Sequence, residues 1–103
     1  MNLALESNRT QLREFCHKWK IADLFFFGSV LRKDFRPDSD VDALAEFVPG
    51  AGWSLFDWVN MEDELGGILG RKAHLTDKRS IEKSENWIRR EAILGSAVNF
   101  DVT

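Results

Sequence analysis

The spacing of apolar residues near the start of the chain predicts a helix followed by a strand. A first stripe of apolar residues recurs at intervals of three and four, which is typical of the buried face of an amphipathic helix. Its members are Leu12, Phe15, Cys16 and Trp19. Asn8 with Gln11 resembles a capping box at the start of this helix. The apolar run at 21–27 then ends at Gly28, and a short run of this kind favours a buried strand.

The remaining pattern continues the alternation of helices and strands. We predict strands at 41–48 and 72–76, a helix that is capped by Ser54 and ends near Leu69, and a last helix at 86–98. This order is typical of an α+β fold in which a small mixed β-sheet is flanked by helices. At 103 residues the chain has the length of one domain, and we expect a single domain over residues 1–103.

Composition and net charge narrow the possible classes of function. Apolar residues make up 44% of the chain and charged residues 30%, as in soluble globular proteins, and no apolar run reaches the roughly 20 residues that span a membrane. The first residues lack the layout of a signal peptide, and a single cysteine excludes an internal disulfide, so we expect a cytoplasmic protein. The net charge of −3 argues against a protein that binds nucleic acid through overall positive charge.

Negative charge is concentrated in the middle of the chain. Residues 34–64 contain nine acidic residues and one basic residue, whereas the segments before and after them carry net positive charge. Four of these acids lie on the predicted helix that follows Ser54, and we interpret them as its solvated face. They are Asp57, Glu62, Asp63 and Glu64. Clustered carboxylates among the others are candidates for binding a divalent cation.

The clearest chemical signal lies between the first two predicted strands. Gly28 and Ser29 stand where a strand gives way to a predicted helical turn, and the free backbone N–H groups of such a turn suit a phosphate. Asp40 and Asp42 begin the next strand and lie two residues apart, so their carboxylates share one face of it. Paired carboxylates can hold one or two Mg²⁺ ions, which in turn bind phosphate oxygens. Each feature alone is common, and the spacing of all of them together is the signal.

This spacing of Gly-Ser, ten residues and Asp-x-Asp resembles the minimal nucleotidyltransferases (MNT) of the DNA polymerase beta-like superfamily. More narrowly, it resembles the MNT antitoxins that are encoded beside HEPN-domain RNase toxins. Arg32, the Gly70-Arg71-Lys72 sequence and the segment at 86–90 strengthen the resemblance, which covers most of the chain.

The resemblance implies a polymerase beta-like nucleotidyltransferase fold and a metal-dependent reaction. In that reaction AMP is transferred from ATP to a tyrosine hydroxyl of the partner HEPN toxin, and the modification blocks the toxin's RNase site. Carried over to this chain, Gly28, Ser29 and Arg32 would bind the nucleotide. Asp40 and Asp42 would bind Mg²⁺, with Mn²⁺ as the alternative ion.

The chain departs from the family at the third carboxylate of the metal site. Where these proteins have an aspartate on the next core strand, this sequence has His74. Three interpretations stay open. His74 acts as a neutral ligand or general base in the reaction; Asp77 turns into the site instead; or the site is degraded.

These interpretations lead to different functions. The first is an antitoxin that acts as an adenylyltransferase, with Asp40, Asp42 and His74 as its catalytic residues. The second is a catalytically weakened antitoxin that neutralises the toxin by binding alone. A third function, transfer of a nucleotide to a small molecule such as an antibiotic, is disfavoured because the chain is too short to hold a further domain for that acceptor.

Overall fold

The computed structural model describes residues 3–28 and 40–100 of the chain. Within these residues there are five helices and four strands. The helices are α1 (Leu3–Ser7), α2 (Arg9–Lys18), α3 (Leu55–Leu69), α4 (Lys78–Glu82) and α5 (Trp87–Ser96). The strands are β1 (Ile21–Phe27), β2 (Val41–Phe47), β3 (Ala73–Asp77) and β4 (Val98–Phe100). None of the helices in the described part of the chain is long and apolar enough to cross a membrane.

The four strands form one mixed sheet in the order β3-β2-β1-β4. Strand β1 is antiparallel to both β2 and β4, whereas β2 and β3 are parallel. Parallel neighbours need a long crossover connection, and α3 provides it between β2 and β3. The predicted α+β fold with a small mixed sheet is confirmed.

The hydrophobic core lies on one face of this sheet, which we call the covered face. Helix α2 contributes the stripe of Leu12, Phe15 and Cys16, and α3 contributes Met61, Leu65 and Leu69, all of them buried. Alternation along the strands directs every second residue toward these helices. On the strands the buried set includes Leu24, Phe26, Val41, Ala43, Ala45, Leu75 and Phe100. The predicted role of the first apolar stripe is therefore confirmed.

Helix α3 has well-defined ends. Ser54 caps it in a reciprocal capping box: its hydroxyl accepts from the backbone N–H of Asp57, whose carboxylate accepts from the backbone N–H of Ser54. The helix stops at Gly70, whose φ of 71° favours glycine. The predicted start and end of this helix are both confirmed.

Several local predictions were wrong. The last helix ends at Ser96, and the chain then forms β4, because residues 98–100 pair with β1 across a long sequence separation. Helix α1 was not predicted. Asn8 precedes α2, but its side chain makes no capping hydrogen bond there. The helical turn expected after Ser29 lies outside the described residues.

Candidate active site

The two carboxylates of the Asp-x-Asp motif lie at the start of β2. Asp40 directly precedes the strand and Asp42 is its second residue, so the two side chains share the face of the sheet opposite the covered face. The parallel register pairs Asp42 with His74 of β3. The backbone N–H of Val41 donates to the carbonyl oxygen of Lys72 at 2.9 Å and fixes this register at the strand ends. The structure therefore brings Asp40, Asp42 and His74 together.

His74 makes a direct contact with the first of these carboxylates. Its Nε2 lies 3.0 Å from Oδ2 of Asp40. An ionised carboxylate only accepts hydrogen bonds, so Nε2 carries the proton and donates it to Asp40. In this arrangement Nδ1 is the imidazole nitrogen that can accept a proton from another molecule. Because both side chains are about half exposed, at 46% and 48%, a second molecule can approach them.

Asp42 is less accessible than Asp40. Burial raises the pKa of the Asp42 carboxyl above its ordinary value; the nearby His74 imidazole lowers this pKa, and the Asp40 carboxylate raises it again. The net effect is a carboxylate whose negative charge is poorly solvated. A cation at this position would stabilise that charge.

Gly28 lies against the Asp42 carboxylate. Phe27 pairs with Asp42 across the sheet, and Gly28 follows it with a φ of 77°, in the left-handed region that favours glycine. A Cβ atom at this position would lie only 3.0 Å from Oδ2 of Asp42. The absence of a side chain thus keeps space open beside the carboxylate. Ser29 and Arg32, the other two residues expected to bind the nucleotide, lie outside the described residues.

The chemistry of the Asp40 and Asp42 side chains fits a hard divalent cation. In the stretches 3–28 and 40–100, no three His, Cys, Asp or Glu side chains are grouped so that they could hold a metal ion by themselves. Mg²⁺, however, is commonly bound by one or two carboxylates together with water and substrate phosphates. Asp40 and Asp42 supply two such carboxylates. Nε2 of His74, engaged by Asp40, is not available as a ligand in this arrangement.

Asp77 does not join this group of side chains. It pairs with Ala45 of β2 and so has the opposite parity to His74. Its carboxylate caps α4, accepting from the backbone N–H of Arg79 at 3.1 Å and from the hydroxyl of Ser80 at 3.4 Å. The interpretation in which Asp77 replaces the missing carboxylate is therefore wrong in this arrangement.

A surface pocket of about 460 Å³ adjoins the candidate site and has His74 on its wall. Glu62 and Asp63 of α3 line one part of it, and Arg71 and Lys72, which precede β3, line another. The pocket therefore presents both signs of charge next to the imidazole. It gives a second molecule room to reach His74 from the β3 side of the sheet.

The acidic residues of α3 were predicted to form a solvated face, and for two of them this was wrong. Oε2 of Glu62 accepts a hydrogen bond from the backbone N–H of Leu75 at 2.8 Å. Oε2 of Glu64 accepts from Nζ of Lys18 and from Nε1 of Trp19. Helical charge spacing alone could not identify these contacts, because all three partners are distant in sequence.

The comparisons with known proteins agree with the fold described above. The family model described as "nucleotidyltransferase domain" matches residues 9–98. The protein adenylyltransferase MntA of Thermococcus cleftensis is 31% identical over 80 residues, which are 76% of this chain and 74% of that protein.

Solved structures show the same fold. A candidate minimal nucleotidyltransferase superposes with a TM-score of 0.69 at 28% identity, over 95% of each chain. A chain from the complex of a tri-AMPylated Shewanella oneidensis HEPN toxin with its MNT antitoxin superposes with a TM-score of 0.62, over 91% of this chain and 69% of that one. At 14% identity the second likeness concerns the fold alone.

Proposed function

The chain belongs to the nucleotidyltransferase domain family, and we propose that it is an antitoxin that acts as a protein adenylyltransferase. Its substrate is ATP, and its acceptor is a tyrosine hydroxyl of a cognate HEPN-domain RNase toxin, with which it forms a hetero-oligomer. The transferred AMP silences the toxin. A relative that is named as a protein adenylyltransferase supports the reaction, and a structural neighbour with the same fold comes from a complex of an MNT antitoxin with an AMPylated HEPN toxin.

The observation that carries the proposal is the grouping of Asp40, Asp42 and His74 at adjacent strand ends. Asp40 and Asp42 are the residues that would hold Mg²⁺, or Mn²⁺, which tolerates a nearby imidazole better. When bound, the ion neutralises charge on the triphosphate and on the departing pyrophosphate. The space beside Gly28 allows the substrate to approach Asp42. We assign Ser29 and Arg32 to the triphosphate.

His74 is the base in this reaction. Its Nδ1 accepts the phenolic proton, and the phenolate oxygen attacks the α-phosphorus of ATP. A bond forms between this oxygen and the phosphorus, the bond from the α-phosphorus to the oxygen that bridges to the β-phosphate breaks, and pyrophosphate leaves. Asp40, which accepts the Nε2–H, orients the ring and stabilises the imidazolium that forms. The pocket beside His74 admits the toxin segment that carries the tyrosine.

One observation favours a second function, neutralisation of the toxin by binding alone. His74 replaces an oxygen ligand with an imidazole whose Nε2 is held by Asp40. Hard Mg²⁺ prefers oxygen ligands, so a site of this kind binds the ion more weakly than three carboxylates would. The two functions differ in one covalent product and can be separated by mass.

The test is the intact mass of the HEPN toxin after co-expression with this protein. We expect one or more AMP units on the toxin with the unaltered sequence and none with Asp42→Asn. Glu14→Gln is the control, since it removes an exposed carboxylate of α2 that lies outside both the predicted metal pair and the wall of the pocket beside His74.

An unmodified toxin that is nevertheless bound and silenced by both the unaltered protein and Asp42→Asn would establish the binding function instead. In that case His74→Asp tests the cause, because it restores the third carboxylate of the family.

A further inference from the structure

His74 stands on a short strand at the edge of the described sheet. Strand β3 has five residues and pairs with β2 along one side. The side chain of His74 is 46% exposed, and its hydrogen bond to Asp40 joins it to another exposed side chain. The position of its ring is therefore set mainly by the backbone of β3, whose outer side pairs with no strand in the described part of the chain.

Helix α3 holds that outer side at the residue next to His74. Successive residues of a parallel strand direct their backbone groups to alternate sides, and Lys72 faces β2. Leu75 therefore faces outward. Its N–H donates to Oε2 of Glu62 at 2.8 Å, and its carbonyl oxygen accepts from Nε1 of Trp58 at 3.1 Å. Both outward polar groups of Leu75 are thus bound by side chains.

Trp58 and Glu62 are well placed for this function. They lie four residues apart on α3, so they occupy the same side of the helix one turn apart. The indole of Trp58 packs against the ring of Phe47, with centroids 5.6 Å apart. The bond from Leu75 to Glu62 is assisted by the negative charge of the acceptor, which makes it stronger than a neutral hydrogen bond.

We propose that Trp58 and Glu62 are positioning residues of the transfer reaction. They clamp β3 at Leu75 and thereby hold His74 beside Asp40 and Asp42. This inference rests on the proposed function, because it assigns a use to the position of His74. The clamp itself is a structural arrangement that can be measured without any reaction.

Glu64 provides a matched control on the same helix. Its Oε2 binds Nζ of Lys18 at 2.9 Å and Nε1 of Trp19 at 3.2 Å, so it joins α3 to α2 rather than to β3. Glu62 and Glu64 are both partly exposed carboxylates with contacts to distant residues. If weaker anchoring of α3 in general were the cause, substitution of either glutamate would lower kcat. Loss of the clamp would lower kcat only when Glu62 is substituted.

The kinetic experiment uses the full chain with its toxin and varies ATP. We expect Glu62→Ala to lower kcat by about 10- to 100-fold, the effect of a small misplacement of a reacting group, with KM for ATP unchanged. Trp58→Phe, which keeps an aromatic ring but loses the indole N–H, should act in the same direction. Glu62→Gln keeps an acceptor oxygen and should restore most of kcat. Glu64→Ala should leave kcat unchanged.

A second measurement separates the clamp from the reaction. Amide hydrogen exchange at Leu75 should accelerate in Glu62→Ala, and the imidazole resonances of His74 should shift, while both stay unchanged in Glu64→Ala. If the unaltered protein transfers no AMP, the proposed function fails, and these two signals alone decide whether the clamp positions His74.

Any one of three results would overturn the inference. The first is unchanged exchange at Leu75 in Glu62→Ala, and the second is an unchanged kcat in the same variant. The third is an equal fall of kcat in Glu62→Ala and Glu64→Ala, which would reduce the role of Glu62 to general stability.

Discussion

The two faces of strand β2 differ sharply in what they contribute. On the covered face every residue is buried against the helices, and these residues are Val41, Ala43, Ala45 and Phe47. On the opposite face Asp42 and Glu46 are half-buried, and Asp40 precedes them at the exposed strand end. Of the β2 residues on that face, Leu44 alone is fully buried. One strand therefore serves both the core and the candidate site.

This difference shows how a small chain can hold charged groups in a fixed place. The apolar residues fix the position and twist of β2, and the period of two then determines where the intervening carboxylates lie. Substitutions on the covered face should therefore change stability. Substitutions on the opposite face, which carries Asp40 and Asp42 and which we call the site face, should change activity.

The largest expected effect is on the covered face. Phe26 is fully buried, and its ring meets that of Phe100 edge to face, with centroids 5.8 Å apart. We expect Phe26→Ala to lower the free energy of unfolding by about 3–5 kcal/mol, measured by urea denaturation. Phe25, which precedes Phe26 on β1, lies half-buried on the other face. Phe25→Ala should lower the free energy of unfolding by less than half as much. Equal losses would contradict the division between the faces.

The next effect concerns Asp42 on the site face. We expect Asp42→Asn to lower the rate of AMP transfer by about 10²- to 10³-fold, in the range typical for loss of a group that stabilises charge in a transition state. The free energy of unfolding of the Asp42→Asn variant, in contrast, should not fall. Because the pKa of this carboxyl is raised in the folded state, its ionisation opposes folding as the pH rises above the ordinary pKa.

Urea denaturation at neutral pH should therefore give Asp42→Asn an unfolding free energy equal to or greater than that of the unaltered protein. Glu14→Gln, which removes an exposed carboxylate of α2, should change neither quantity. A destabilised Asp42→Asn protein would show that the carboxylate contributes to the fold, contrary to the comparison of the two faces.

The candidate site was predictable where local rules determine it. The side chains of Asp40 and Asp42 had to share a face because the period of a strand is two. The closeness of His74 to these carboxylates was expected from the family's third acid, and the parallel register of β2 and β3 places it opposite Asp42. The roles of Gly28, Ser29, Arg32, Asp40, Asp42 and His74 in binding and catalysis stay predictions.

The predictions that failed depend on contacts between distant parts of the chain. Val98 continues the apolar pattern of the predicted last helix, and only the pairing of residues 98–100 with β1 places it in a strand. Glu62 has the spacing of a solvated helix face, and its bond to Leu75 arises from the packing of α3 along β3. Local propensity is easily overridden when a backbone group of another element needs a partner.

A smaller effect is expected from the titration of Cys16 on the covered face, which can be compared with that of Asp42 on the opposite face. Burial, and to a lesser degree the charge of Asp23, raises the pKa of the Cys16 thiol from 9.0 to about 12. Cys16 packs in the core on the covered face. Between these two values the unfolded chain loses the thiol proton while the folded protein keeps it, so stability falls as the pH rises.

We expect ionisation of the thiol in the unfolded chain to lower the free energy of unfolding by about 1.4 kcal/mol from pH 8 to pH 10, since pH 10 lies one unit above the ordinary pKa of the thiol. In Cys16→Ala the free energy of unfolding should fall by about 1.4 kcal/mol less over this pH range than in the unaltered protein. Urea denaturation of both proteins at pH 8 and pH 10 measures this difference. Identical pH dependence in the two proteins would mean that the thiol is not shielded from water as the core contacts indicate.

The last comparison concerns two glycines with similar backbone conformations. Gly28 has a φ of 77° and Gly50 a φ of 87°, so alanine is strained at both positions and should cost about 1–2 kcal/mol in either. Their surroundings differ. An added Cβ meets Oδ2 of Asp42 at Gly28, whereas nothing lies within 4 Å of it at Gly50.

Urea denaturation should therefore find similar losses in Gly28→Ala and Gly50→Ala. AMP transfer should fall by about tenfold or more in Gly28→Ala alone, because displacement of the carboxylate disturbs the position of a reacting group. Equal transfer rates in the two variants would show that the space beside Asp42 is not needed. A loss confined to Gly28→Ala would separate the backbone strain, which both variants share, from the crowding of the site.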